Sequence, residues 1–203
     1  MVKGNNIRNH VKNIFLSAGV PTEERNPKYF ESADVIAIRD SVIALASTVL
    51  ANNDYHLIWG GQPAITPLIA LVLNRYNHAM ANSVTLYQSY EFEQFFPKEN
   101  EDVGHIIYTE KKENRTSSLL YMRKHMIGDH DYEAAVFIGG MDGVEEEYEL
   151  FSEMHPEIPC FPIASTGAAA RILYDRYMNA AEFDKKLLTE LSYSFLFKYL
   201  LKL

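Results

Sequence analysis

The stretch VFIGGMDGVEEEYELF, residues 136–151, decides the fold. An apolar run ends at Gly139 and Gly140, turns through Met141, Asp142 and Gly143, and enters an acidic helix. Glycine has no Cβ to keep a ligand at a distance, so a buried strand ending this way brings main chain close to something. Three other junctions share the pattern: Ser17-Ala18-Gly19, Gly60-Gly61-Gln62 and Ser165-Thr166-Gly167.

Working outward, short apolar runs alternate with helical patterns. Strands are predicted over 13–19, 55–61, 83–89, 105–109, 133–140 and 158–165. Helices are predicted over 32–53, 63–77, 116–128, after Gly143, over 166–178 and over 181–203. Ser32 or Asp34 caps the first helix, and Val35, Ile38, Val42, Leu45 and Val49 form its apolar face. Pro63 suits the first turn of the second. Such alternation implies an α/β domain with a mainly parallel sheet and helices on both faces, and one domain is expected over 1–203.

Composition narrows the function. The chain of 203 residues carries a net charge of −8, which argues against nucleic acid or an anionic membrane as the main partner. Cys160 is the single cysteine, so no internal disulfide or thiolate cluster forms, as suits a cytoplasmic protein. No apolar stretch approaches a membrane span, and the opening MVKGNNIRNHVKN lacks a signal-peptide core. No metal site is expected: no H-x-x-x-H pair occurs, and GDHDYE (128–133) reads as a polar loop before a strand.

In open parallel sheets ligands gather at the carboxyl ends of the strands. The glycine-ended strands, each leading into a helix N-terminus, therefore suggest an anion-cradling crevice. Neither a P-loop nor a G-x-G-x-x-G fingerprint is present. Glu145 and Glu149 suit the helix dipole and solubility. Glu147 lies three residues after Val144 and four before Phe151, on the inward stripe, where a carboxylate can grip a ribose or act as acid, base or nucleophile. Arg123, between Leu119 and Met126, aims a fixed charge at an apolar face. Arg39 does so between Val35 and Val42. A structural salt bridge or a snorkelling side chain competes with binding at both.

These residues together resemble the LOG (lysine-decarboxylase-like) proteins and the wider SLOG superfamily, in particular the SLOG group of prokaryotic conflict systems. RKHMIGDHDYEAAVFIGGMDGVEEE follows the LOG order of an R-K pair and a strand ending in P-G-G-x-G-T-x-x-E, with one residue inserted before Gly143 and Glu147 at the motif glutamate. SAGVP, AIRDSV and WGGQPAITPLI are similar to the SLOG group's own pattern, and the likeness covers roughly 13–175. Ile138 stands where LOG has proline, and Met141-Asp142-Gly143-Val144 replaces x-G-T-x, removing a hydroxyl contact to phosphate.

The resemblance implies a Rossmann-like three-layer sandwich that binds a nucleotide or NAD-derived ligand and uses no further cofactor. Arg123 and Glu147 are the catalytic candidates, since the matching LOG residues help break an N-glycosidic bond. Ser17, Gly19, Arg39, Gly60, Gly61, Gln62, Gly139, Gly140, Met141, Asp142, Gly143, Thr166 and Gly167 are the ligand-binding candidates. The leading reading is a signal sensor in antiviral or stress response. The alternatives are a nucleotide or NAD N-glycosidase and an interaction protein with a decayed pocket.

The end of the chain points to assembly. A helix over 181–203 would bury a stripe through Leu188, Leu191 and Phe195, leaving Phe197, Tyr199, Leu201 and Leu203 unaccounted for. A patch that size implies a homo-oligomer, or docking onto a separate effector protein.

Overall fold

The computed structural model describes residues 11–76, 79–178 and 182–203. The opening stretch over 1–10, Asn77 at the end of the second predicted helix, residue 181 and the side chain of Phe183 lie outside the described residues.

Six strands form one sheet: β1 (Lys12–Gly19), β2 (Tyr55–Gly60), β3 (Val84–Ser89), β4 (Ile106–Thr109), β5 (Tyr132–Gly139) and β6 (Cys160–Ile163). The order is β4-β3-β2-β1-β5-β6, and every pairing is parallel. The chain first builds leftward from β1 and then returns to its other side, so the topological switch point is the β1–β5 seam. That seam is in register to its tip, with Gly19 opposite Gly139.

The strands are apolar without clean alternation because helices cover both faces. Ile14 and Leu16 of β1 enter one core layer, and Phe15 between them enters the other. The first layer lies under α2 (Val35–Leu50), α3 (Thr66–Arg75), α7 (Glu182–Thr189) and α8 (Tyr193–Leu200). The second lies under α1 (Pro27–Phe30), α4 (Arg115–Gly128), α5 (Asp142–Met154) and α6 (Ala168–Tyr177). This is a Rossmann-like α/β three-layer fold. Among the described residues no helix is long and apolar enough to cross a membrane.

Local chemistry sets the helix starts. Asp34 caps α2 by accepting from the Ala37 N–H at 2.9 Å, and Asn114 caps α4 by accepting from the Ser117 N–H at 2.9 Å. Three sequence expectations are corrected. Helix α3 begins at Thr66, so Pro67 rather than Pro63 occupies its first turn; residues 61–65 form a turn tied by the Gln62 side chain, which accepts from the Ala64 N–H at 2.7 Å. Helix α5 begins at Asp142, so the glycine turn is shorter than its sequence suggests. Val35, assigned to the apolar face of α2, is 48% exposed, whereas Ile38, Val42, Leu45 and Val49 are fully buried.

The largest correction is at the end of the chain. The predicted single helix is two, α7 and α8, separated by residues 190–192. The break resets the helical phase. Phe197 and Leu201, expected to be surplus, are buried against the core with Leu196, while Leu191 and Phe195 are 67% and 52% exposed. Tyr199 and Leu203 are also exposed.

Candidate functional site

At the carboxyl edge of the sheet, over the switch point, lies a cavity of about 570 Å³. Glycines line it at the strand ends: Gly19 at the tip of β1, Gly60 at the tip of β2 with Gly61 after it, and Gly140 after β5. The Gly140 N–H donates to the Gly19 carbonyl at 2.8 Å, so the two strand tips meet. Gly140 has φ +81°, and a Cβ there would stand 2.1 Å from a Val144 methyl. Only glycine fits that turn. At Gly61 a Cβ would meet the Gln88 side chain, and at Gly143 the Arg123 guanidinium.

Met141, which precedes α5, provides no side-chain cap. The first N–H groups of a helix have no intrahelical partner, and Asp142 and Gly143, which begin α5, line the cavity. The Asp142 side chain is at the same end and exposed.

Beside this turn sits a charged cluster built from three elements. Arg123 projects from α4 and is 9% exposed. Its Nε donates to Glu147 Oε1 at 3.1 Å, its Nη1 pairs with Glu146 Oε2, and its Nη2 donates to the Gly143 carbonyl at 3.4 Å. Burial works against the guanidinium charge, but the Glu147 and Glu146 carboxylates outweigh it and raise the pKa above the ordinary value. The other Glu147 oxygen, Oε2, accepts from the buried Ser17 hydroxyl at 2.6 Å. Both oxygens of Glu147 are thus held while the side chain lines the cavity. Glu145 faces elsewhere, bound by Tyr29 Oη at 2.7 Å and by Arg176.

The sequence-predicted residues divide into three groups. Gly19, Gly60, Gly61, Gln62, Gly140 and Met141 line the cavity, as do Asp142, Gly143, Arg123 and Glu147. Ser17 and Gly139 lie behind that lining: Ser17 holds Glu147, and the Gly139 N–H donates to Thr166 Oγ1 at 2.9 Å. Arg39, Thr166 and Gly167 stand apart from it. Arg39 is exposed and salt-bridged to Asp40 at 2.7 Å. Thr166 donates to the Ile163 carbonyl at 2.6 Å, bracing the end of β6. Gly167 has φ +72°, and a Cβ there would stand 1.8 Å from the Ser32 carbonyl oxygen.

Other lining residues escaped the sequence reading. Arg25, in the loop after β1, and Arg115, the first residue of α4, bring cations, and neither takes part in a salt bridge among the described residues. Arg115 had a signal, because a cation in the first turn of a helix opposes the dipole and calls for another reason. Phe92, Phe95 and Phe96 form an apolar wall with Leu119 and Met122. The aromatic-rich sequence after β3 was the only hint of it.

Glycine main chain, the start of α5, Arg25 and Arg115, the fixed Glu147 carboxylate, Asp142 and aromatic surface thus line one cavity. That set of groups can hold an anion, hydroxyls and a planar apolar ring together. No curated protein matches the chain. The model of the SLOG cluster3 family matches residues 28–201, taking in β2 to β6 with the Arg123 and Gly139-Gly140 segments. The chain belongs to the SLOG cluster3 family.

Proposed function

We propose that the protein binds a nucleotide or NAD-derived ligand in the switch-point cavity and serves as a signal sensor in an antiviral or stress response. The observation that carries the binding site is the convergence of Gly19, Gly61, Gly140 and the start of α5 on one cavity with Arg25 and Arg115. Membership of the SLOG cluster3 family supports a nucleotide-related role. The phosphate lies over the glycine turns, where main-chain N–H groups and Arg25 meet it. Asp142 and Glu147 take ribose hydroxyls.

The sensor reading is preferred over hydrolysis because both Glu147 oxygens are already engaged, by Ser17 and Arg123, which leaves the carboxylate little freedom to move protons. An N-glycosidase remains the second reading, supported by the same carboxylate lining the cavity beside the glycine turn: it would stabilise an oxocarbenium-like ribose. An interaction protein with a decayed pocket fits less well, since side chains have not filled the cavity.

The deciding experiment incubates the purified protein with AMP, ADP-ribose and NAD, measuring heat of binding by calorimetry and released base by chromatography. Binding without base release is expected. Base release that Glu147→Gln abolishes would establish the hydrolase instead, and no binding to any probe would leave the interaction protein.

A further inference from the structure

The segment between β3 and β4 contains the 3-10 turns Tyr90–Phe95 and Lys98–Asp102 and brings three phenylalanines to one cavity wall. Resting on the reading of this cavity as a nucleotide site, we propose that the wall is the nucleobase subsite. Phe95, flanked by Phe92 and Phe96, stacks on a planar heteroaromatic base, and Arg115 reinforces the platform from α4.

The wall is held from below without help from Phe95. Gln88, buried at the end of β3, exchanges two amide hydrogen bonds with Asn100, at 3.3 and 3.2 Å. Asn74 of α3 donates to Asp102 at 3.4 Å. Tyr90 stacks on Tyr108 of β4 with ring centroids 5.1 Å apart, and Phe96 tilts onto the same ring at 5.7 Å. Phe95 is left over: it is 59% exposed while lining the cavity. The Arg115 guanidinium lies 5.0 Å from the Phe92 ring centroid, adding a delocalised cation on which a base can also stack.

Position supports the division of labour. Parallel strands lie about 4.8 Å apart, so the β1–β5 seam and the tip of β3 are separated by roughly 12 Å. A phosphate at the seam therefore places its ribose over β1 and β2 and its base against the wall. The two arginines then have different partners, with Arg25 meeting the phosphate and Arg115 the base.

Calorimetry with AMP, UMP, NAD and ribose 5-phosphate tests this on the full chain. AMP should bind about tenfold or more tightly than ribose 5-phosphate, the size of one base–aromatic stack, with UMP between them because its ring is smaller. Phe95→Ala, whose side chain is mostly outside the core, should remove most of the AMP advantage and leave ribose 5-phosphate unchanged. Arg25→Ala should weaken both alike. If AMP and ribose 5-phosphate bind equally, or Phe95→Ala leaves their ratio intact or weakens both equally, the base wall is wrong while the nucleotide site stands. If none of the four probes binds, the nucleotide reading itself falls, and the base subsite falls with it.

Discussion

The Ser17 hydroxyl donates to Oε2 of Glu147 at 2.6 Å, linking residues 130 positions apart. With Arg123 on the other carboxylate oxygen, this bond ties the end of β1 to α5 and α4 beside the switch-point cavity. Position of the carboxylate and stability of the cavity edge are therefore one property.

Breaking that cluster should cost folding stability before any ligand is added. Ser17→Ala removes a hydrogen bond to a charged group and should lose about 1–2 kcal/mol. Arg123→Ala strands Glu147, mostly buried, and should lose about 2–4 kcal/mol. The double variant Arg123→Ala/Glu147→Gln should lose less than the two single changes added together, since neither charge is then left alone. Urea denaturation measures all of these; additive losses would show that the pair is not coupled.

Gly140 should matter for folding as well as for binding. A side chain there must hold φ +81° and displace Val144, so Gly140→Ala should lose about 2–4 kcal/mol. Adding Val144→Ala removes the 2.1 Å methyl contact but keeps the Val144 Cβ at 2.8 Å and the backbone strain, so it should recover only part of the loss. A Gly140→Ala protein as stable as the parent by thermal melting would mean that the turn is not built as described.

Stability should fall in mild acid through the histidines at the opposite edge of the sheet. His56 Nε2 and His105 Nδ1 share the Thr85 hydroxyl, at 2.7 and 3.0 Å, and His130 meets Tyr87 Oη at 2.7 Å. Burial, then the nearness of His130 and His105, lowers the His56 pKa from its ordinary 6.5 to about 4. The unfolded chain therefore binds the extra proton first. Stability contributed by neutral His56 is complete above pH 6.5, falls away as pH drops toward 4, and levels off below that. The loss should be about 1–3 kcal/mol, and His56→Gln should flatten it. Denaturation midpoints from pH 7.5 to 4.5 would expose the error if both proteins followed the same curve.

The two faces of α8 should respond in opposite ways. Phe197→Ala opens a cavity in the core and should lose about 3–5 kcal/mol, whereas Phe195→Ala should change stability by less than about 0.5 kcal/mol. Truncation after Ser192 should unfold the domain, because it deletes Leu196 and Phe197 from the packing on α2. We propose that self-association uses the exposed ridge of Leu191, Phe195 and Tyr199. Phe195→Glu should then lower the mass seen by light scattering while the melting temperature holds. A wild-type monomer at high concentration would end that proposal.

Much of the fold was legible locally. Glycine-ended apolar runs mark the strands because a strand buried on both faces needs no alternation. The inward placement of Arg123 and Glu147 followed from helical spacing to Leu119 and Met126, and to Val144 and Phe151. Spacing failed for Arg39, because the buried stripe of α2 runs through Ile38, Val42, Leu45 and Val49 and leaves both Val35 and Arg39 outside. It also failed at the end of the chain, where the break over 190–192 shifts the helical phase and exchanges Phe195 for Phe197 in the core. What tertiary structure alone decided was who faces whom. Ser17 reaches Glu147 because β1 and β5 are neighbours, and Arg25, Phe95 and Arg115 share a cavity because the strand order brings their loops to one edge of the sheet. Hydrophobic periodicity reports which side of an element is buried. It carries no information about which element lies beside it, because that is set by the packing of the whole sheet.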